Sequence, residues 1–528
     1  MSKLLLLGDE AIAQAALDAG LSGVYAYPGT PSTEITEYIQ NKTEQSAAKV
    51  HCQWSTNEKT AMEAALGMSF AGKRALVCMK HVGVNVAADA FINSAITGVV
   101  GGLVFVAADD PSMHSSQNEQ DSRFYADFAM IPVLEPSNQQ EAYDMVYQGF
   151  KLSEELEVPV MVRITTRLAH SRSGVARKAE CPQNELHFSE DPKQFVLLPA
   201  IARVRYQKLL DAQAGFLARS ESSAFNRYEA GTDPRYGIIA SGIAYNYLME
   251  NFPDGCPYSV LKVGQYPLPM SFVSKMAEEC ASLVVLEDGY PLIEQRLNGL
   301  PGQGSPVLGR LNGFVPRTGE LNPDHVAKAF GLPSYETFEL PDVVQMRPPS
   351  LCAGCGHRDM YDALNEVVAQ KGLDSKVFGD IGCYTLGYLP PFKAIHACVD
   401  MGASITMAKG AADAGLPYAV AVIGDSTFTH SGMTSLLDAV NENSPITVII
   451  SDNETTGMTG GQASAGTGKL EAICLGLGVD PAHLHVLSPL KKHHDEMVRV
   501  IRQEMDYPGV SVIIPRRECV QTLARKKR

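Results

Sequence analysis

The stretch Ala419-Val420-Ala421-Val422-Ile423-Gly424-Asp425-Ser426 reads as a buried strand ending in a tight polar turn. A second apolar run, Thr447 to Ser451, ends the same way in Asp452-Asn453, with 25 residues between Ser426 and Asp452. Met433 to Asn441, between the two, has helical spacing. Strand, helix and strand in that order imply a βαβ unit in a parallel sheet. In such a sheet the loops at the carboxyl ends of the strands line the ligand crevice. The two turns are therefore expected to meet. Asp425 offers a hard carboxylate oxygen and Asn453 a hard amide oxygen. Mg²⁺ takes one or two such protein ligands and completes its octahedron with phosphate oxygens and water. Gly424 would let the backbone approach a diphosphate, and the N–H groups after it can donate to one. A plain turn and a plain helix cap would explain either dipeptide alone; the pair at this spacing is the stronger signal.

The same alternation extends towards the N-terminus. Leu4 to Leu7, Gly23 to Tyr27, Ala75 to Met79 and Leu103 to Ala107 read as buried strands, and Glu10 to Ala19 and Thr60 to Phe70 as helices. The expected fold class is α/β, with three doubly wound parallel-sheet domains. The expected boundaries are a first domain at 1–175, a linker with an embedded helix at 176–234 that includes a soft stretch at Ser220 to Ser223, a second domain at 235–332, a proline-rich linker at 333–350 and a third domain at 351–528. The basic end, Arg525-Lys526-Lys527-Arg528, reads as frayed and solvated.

The 528 residues allow two to four domains, and 45% hydrophobic with 20% charged content is ordinary for a globular chain. A net charge of −15 argues against a nucleic-acid partner. Leu4 to Leu7 is too short for an export signal, and Ile96 to Ala108 is broken by glycines and shorter than a membrane span. A cytoplasmic protein with no membrane association is expected.

The chain has 11 cysteines. Cys52, Cys78, Cys256 and Cys280 carry no spacing signal, and Cys398 reads as core. Cys352 and Cys355 form a C-x-x-C pair beside Gly354 and Gly356; Cys383 follows in Gly379-Asp380-Ile381-Gly382-Cys383, and Cys519 in Arg517-Glu518-Cys519. Thiolates suit an iron–sulfur cluster or zinc. Spacing alone leaves cluster, zinc and buried structural cysteines all open.

Gly424-Asp425-Ser426 with Asp452-Asn453 resembles the Gly-Asp-Gly…Asn-Asn motif of thiamine-diphosphate enzymes, Ser426 standing for the second glycine. The run Thr455 to Gln462 narrows the likeness to the 2-oxoacid:ferredoxin oxidoreductases. Tyr27-Pro28-Gly29-Thr30-Pro31-Ser32-Thr33-Glu34 is similar to a segment of that family's pyrimidine-binding domain, and Asn57-Glu58-Lys59 matches the place of its glutamate. Lys80 to Asn85 and Gly424 to His430 look like the indolepyruvate branch, the large-subunit type.

The resemblance implies a thiamine-diphosphate-binding, transketolase-like fold. It implies Mg²⁺ held by Asp425, Asn453 and the Thr455 carbonyl, with Gly382, Gly424 and Ser426 at the cofactor. It gives Glu58 the task of hydrogen-bonding the pyrimidine so that the cofactor's exocyclic imine can act as base, a task suited to a carboxyl in a dry cleft. Thr30 would bond the cofactor or the substrate carbonyl, or cap the helix after Pro31; Glu63 reads as a solvated helix residue. It assigns Cys352, Cys355, Cys383 and Cys519 to a [4Fe–4S] cluster, with Cys474 the weaker choice for the fourth place. The activity implied is oxidative decarboxylation of an arylpyruvate such as indolepyruvate, with coenzyme A taking the acyl group. A smaller beta subunit is implied, in an α2β2 type of hetero-oligomer. The family's large subunits usually continue into a ferredoxin-like domain, whereas this sequence stops nine residues after Cys519. Electrons are thus expected to leave through a ferredoxin, a flavin/NAD subunit or another docked carrier. Two other readings compete: a non-redox thiamine-diphosphate decarboxylase, and a non-catalytic zinc-stabilised assembly subunit.

Overall fold

The computed structural model describes residues 3–44, 49–298, 306–334, 339–345, 349–372 and 375–526. It divides into two compact units, Met1–Phe338 and Glu339–Arg528.

The first unit holds two sheets. One has seven strands in the order Gln265–Tyr266, Val133–Leu134, Val160–Thr165, Leu103–Asp109, Ala75–Lys80, Gly23–Ala26 and His51–Trp54. All neighbours run parallel except the edge strand Gln265–Tyr266. Every residue of Ala75–Lys80 and Leu103–Asp109 is buried, which explains why these strands read as unbroken apolar runs. The other sheet has the order Val307–Leu308, Ser282–Leu286, Asp233–Ser241, Tyr258–Val263 and Arg227–Glu229.

Three expectations change here. Lys3–Leu7 is not a buried parallel strand: it forms a two-stranded antiparallel ribbon with Arg172–Ala176, and Leu5 is exposed. The segment 176–234 does contain the expected helix, Pro199–Glu221, but it also supplies the edge strand Arg227–Glu229. Nor is its serine stretch soft throughout. Ser220 is buried, its hydroxyl donates to the Gln265 and Pro267 carbonyls at 2.9 and 2.6 Å, and Asn226 Nδ2 donates to its carbonyl at 2.9 Å. Small polar residues look alike in sequence whether they are solvated or satisfy one another in a buried turn.

The two sheets are tied by buried charge. Arg163 pairs with Asp109 at 2.7 Å and Glu135 at 2.8 Å; Arg123 pairs with Asp121 at 2.6 Å and Glu287 at 3.1 Å. Removing one member of such a buried pair costs roughly 3–5 kcal/mol, because the other charge is left uncompensated.

The second unit is built on a five-stranded, wholly parallel sheet: Ser375–Gly379, Tyr418–Gly424, Ile446–Ser451, Ser511–Pro515 and Leu484–Leu487. Val420 and Val422 pack with the helices Gly356–Lys371 and His494–Met505; Ala419, Ala421 and Ile423 pack with Ser404–Asp413 and Met433–Asn441. Helices therefore cover both faces, and alternate residues of one strand serve two cores. A short pair, Thr455–Thr456 with Gln462–Ala463, stands apart from the main sheet. Among the described residues no helix is long and apolar enough to cross a membrane.

Candidate active site

Gly424 and Ser451 are partners in the parallel register of adjacent strands, so Asp425 and Asp452 leave the sheet side by side at its carboxyl edge. Asp425 is 2% exposed, and its Oδ2 meets no hydrogen-bond donor among the described residues. Burial pushes its carboxyl up to about 7, against a hydrogen bond from Ser464 and with the Asp452 charge adding to the rise. A buried carboxylate oxygen without a donor is costly, and a cation offsets that cost. Asp452 is committed elsewhere: Oδ2 accepts from Arg516 Nε at 2.5 Å and Oδ1 from the Glu454 N–H at 3.2 Å. Asn453 Oδ1 accepts from the Thr455 N–H at 3.2 Å, Ser426 Oγ lies 2.9 Å from Thr456 Oγ1, and buried Thr455 donates from Oγ1 to the Gln462 carbonyl at 2.9 Å. The residues expected around a metal–diphosphate group thus gather at one edge, and the one with an unmatched oxygen is Asp425.

Glycine at two of the expected cofactor positions also makes room within the protein. A Cβ on Gly424 or Gly382 would run into the ring of Tyr384. That buried ring is pinned by its hydroxyl, which donates to the Ile381 carbonyl at 2.7 Å and lies 2.9 Å from Thr427 Oγ1. Gly424 is thus approached closely by an aromatic side chain. Nothing in the sequence spacing singled out Tyr384.

Cys352, Cys355, Cys383 and Cys519 all line one cavity of about 110 Å³, together with Asp452 and Asn453. Four segments deliver them. Cys352 and Cys355 form a turn, with the Cys355 N–H donating to the Cys352 carbonyl at 3.1 Å, just before the helix Gly356–Lys371. Cys383 opens the 3₁₀ turn Cys383–Tyr388 after the strand Ser375–Gly379. Cys519 follows Ser511–Pro515, and its N–H donates to the Asn453 carbonyl at 3.1 Å; the Arg517 N–H donates to the Asp452 carbonyl at 3.0 Å. The cysteine segment 515–519 is therefore laced to the turn that carries Asn453. A Cβ on Gly457 would stand 3.1 Å from Cys383 Sγ, so the turn after Asn453 folds directly over that thiol.

Burial pushes the Cys383 thiol up to about 12, and the neighbouring Cys355, Cys519 and Cys352 add to the rise; burial raises Cys355 as well, while the Arg517 guanidinium works the other way. Metal ligation requires loss of these thiol protons, so filling the cavity with a metal centre would release protons and be favoured by rising pH. Among the described residues, the one group of three or more His, Cys, Asp or Glu ligand atoms within 4.8 Å of one another is Asp9, Glu34 and His170.

Cys474 lies fully buried in the apolar core beside Leu470, away from that cavity's lining. Cys398 is only partly buried at the edge of its core. The basic end is not wholly solvated: Arg525 donates to the Gly460 carbonyl at the cavity rim, and Lys526 pairs with Glu518 at 2.6 Å. Lys527 and Arg528 lie outside the described residues.

The first unit presents its own residues. Glu58 opens the helix Glu58–Phe70 after the N-cap Asn57, whose side chain accepts from the Thr60 N–H at 2.8 Å. Its side chain is buried against Gly83, where a Cβ would stand 2.6 Å from Oε1. Thr30 lies in the turn after the strand Gly23–Ala26 and does not cap the next helix: Thr33–Glu44 begins three residues on, with Thr33 Oγ1 accepting from the Gly29 N–H at 3.1 Å. Gly29 faces Lys80 across the sheet edge, where a Cβ would stand 3.3 Å from that of Lys80. Glu63 is exposed and paired with Lys59.

This architecture is that of thiamine-diphosphate enzymes. Residues 14–197 match the family model "Pyruvate flavodoxin/ferredoxin oxidoreductase, thiamine diP-bdg", and residues 380–514 match "Thiamine pyrophosphate enzyme, C-terminal TPP binding domain". The chain is 37% identical over 545 residues to indolepyruvate oxidoreductase subunit IorA of Methanothermobacter thermautotrophicus, covering 98% of this chain and 87% of that one. It is 38% identical over 558 residues to the subunit of the same name from Archaeoglobus fulgidus, covering 100% and 88%. A solved structure of 2-oxoglutarate:ferredoxin oxidoreductase from Magnetococcus marinus, with 2-oxoglutarate, coenzyme A and succinyl-CoA bound, superposes with a TM-score of 0.53 at 15% identity, covering 62% of this chain and 65% of that one, and shares the fold. The chain belongs to the indolepyruvate oxidoreductase subunit IorA family, within the thiamine-diphosphate-dependent 2-oxoacid oxidoreductases.

Proposed function

We propose that this chain catalyses the oxidative decarboxylation of an arylpyruvate such as indolepyruvate: 2-oxoacid and coenzyme A go to acyl-CoA and CO₂, and two electrons pass through a [4Fe–4S] cluster to an external carrier. The observation that carries this reading is the convergence of Cys352, Cys355, Cys383 and Cys519 on a cavity whose wall also includes Asn453. A non-redox decarboxylase has no need of a thiol cage beside its cofactor loop. The arylpyruvate rests on the names of the relatives.

Asp425, Asn453 and the Thr455 carbonyl are the residues that would hold Mg²⁺, and the ion would offset the negative charge of the diphosphate. Thiamine diphosphate, when bound, supplies a nucleophilic carbon for the substrate carbonyl and a sink for the electrons left by CO₂. Glu58 would hydrogen-bond the pyrimidine ring through its carboxyl, and its burial would keep water from competing for that hydrogen bond. Thr30 would donate from its hydroxyl to cofactor or substrate. The four thiolates would hold the cluster, which accepts electrons one at a time. Arg517, on the cavity wall, lowers the cost of negative charge there.

A smaller beta subunit, an α2β2 assembly, a ferredoxin or another electron carrier, and a cytoplasmic setting complete the proposal. The test is anaerobic purification with iron, sulfide and zinc analysis beside an indolepyruvate- and coenzyme-A-dependent dye-reduction assay of the chain with its beta subunit. About four irons per chain, with dye reduction, are expected. An iron-free active enzyme releasing aldehyde would identify a non-redox decarboxylase. Zinc with no turnover would identify an assembly subunit.

A further inference from the structure

Asp9 is the second residue of the helix Gly8–Asp18; it is fully buried, and among the described residues neither carboxylate oxygen meets a hydrogen-bond donor. It faces a second carboxylate, Glu34, in the first turn of Thr33–Glu44, and the imidazole of His170 at the end of Thr166–His170. One ligand atom from each lies within 4.8 Å of both others; His170 Nε2 is 3.6 Å from Glu34 Oε1, and Glu34 Oε2 also lacks a donor. Burial, then the Glu34 charge, drives the Asp9 carboxyl well up, while the Glu34 contact raises His170.

The chain assembles this cluster from three distant segments. A Cβ on Gly8 would collide with the Leu168 carbonyl, so the helix carrying Asp9 starts directly against the helix carrying His170. The turn before Glu34 is held by the Ser32 N–H donating to the Gly29 carbonyl at 2.9 Å. The Glu34 and His170 side chains are 37% and 35% exposed, which leaves a path from solvent down to Asp9.

We infer that Asp9, Glu34 and His170 form a second metal site, separate from the cofactor and cysteine residues, which takes a divalent cation of the Mn²⁺, Fe²⁺ or Zn²⁺ class with water completing its coordination. Two carboxylates and an imidazole suit that class, and a 2+ ion matches the donors that both Asp9 oxygens lack. The competing account is a proton shared between Asp9 and Glu34 with no metal.

Mn²⁺ alone discriminates, because it has little affinity for thiols. The full chain is stripped with chelator and used without thiamine diphosphate in an Asp425→Ala background, so that neither the cofactor site nor the outcome for the proposed activity bears on the result. Equilibrium dialysis should find about one Mn²⁺ per chain, and electron spin-echo spectroscopy should detect one imidazole nitrogen. Adding Asp9→Asn should weaken binding at least ~10-fold, and adding His170→Gln should remove the nitrogen signal. Mn²⁺ should raise the thermal midpoint of the background chain and leave that of the Asp9→Asn chain unmoved. His170 is partly exposed, so His170→Gln serves if the Asp9 variant fails to fold. No binding at millimolar Mn²⁺, or binding that survives in both variants, overturns the site and leaves the shared proton.

Discussion

The carboxyl of Glu58 occupies the space that a side chain on Gly83 would need, with a Cβ there lying 2.6 Å from Oε1 and 2.9 Å from Cδ. Gly83 lies in the helix His81–Thr97, within the Lys80 to Asn85 segment that carries part of the family likeness. Gly83→Ala should displace the carboxyl and cut turnover at least ~10-fold, and Glu58→Gln should cut it ~100-fold or more, since a positioned acid or base contributes about that much. Both variants should retain most of their thiamine diphosphate affinity by calorimetry. Parental turnover in Glu58→Gln would remove Glu58 from the mechanism.

Asp425 and Asp452 leave adjacent strands side by side, yet should respond differently. Asp425→Ala removes the carboxylate with the unmatched oxygen, and Mg²⁺-dependent thiamine diphosphate binding should disappear. Asp452→Asn loosens the contact with Arg516 Nε and should chiefly lower the thermal midpoint, a charged hydrogen bond being worth about 1.5–3 kcal/mol. Retained affinity in Asp425→Ala would reverse this division.

For the cysteines the contrast is between cavity and core. Serine at 352, 355, 383 or 519 should lower iron content and dye reduction in the anaerobic protein. Cys474→Ser should retain iron and lose stability by about 1–3 kcal/mol, since it buries a hydroxyl in an apolar core. Iron loss in Cys474→Ser alone would mean that the fourth ligand was misassigned.

Asp288 provides a pH test away from the cofactor residues. Burial, opposed by Arg163 among others, pushes its carboxyl up to about 6 from 3.8. The folded state then holds a proton that the unfolded chain has released between those values. The stabilisation is complete below the unfolded value and fades as pH rises through about 6. Relative to Asp288→Asn, the parent should lose up to roughly 3 kcal/mol between pH 4 and pH 7 in urea titrations. A pH-independent difference would show that Asp288 is ionised throughout.

Much of the site was legible because it sits on strand ends. Unbroken apolar runs ending in polar turns mark Tyr418–Gly424 and Ile446–Ser451, and the residues that follow fall together by sheet geometry alone. Cys352, Cys355, Cys383 and Cys519 needed a family likeness as well as their spacing. Tyr384 left no trace, because an aromatic residue after a cysteine has no period or spacing that says which glycines it will touch. Leu4 to Leu7 misled for a related reason: four leucines announce a strand but not whether both faces will be covered, and Leu5 is exposed. Asp9 was hidden in the first turn of a helix, where an acid is ordinary, although this helix is buried almost throughout.

Tyr384 adjoins Cys383 in sequence, and its ring fills the space beside Gly424, the residue before Asp425. Damage at the thiol therefore has a mechanical route to the carboxylate. Air oxidation that shifts residues 382–384 would move the ring and, with it, the turn that presents Asp425. Oxidation at the thiol and loss of cofactor would then be one injury observed twice, and a preparation made in air would be short of iron and thiamine diphosphate together.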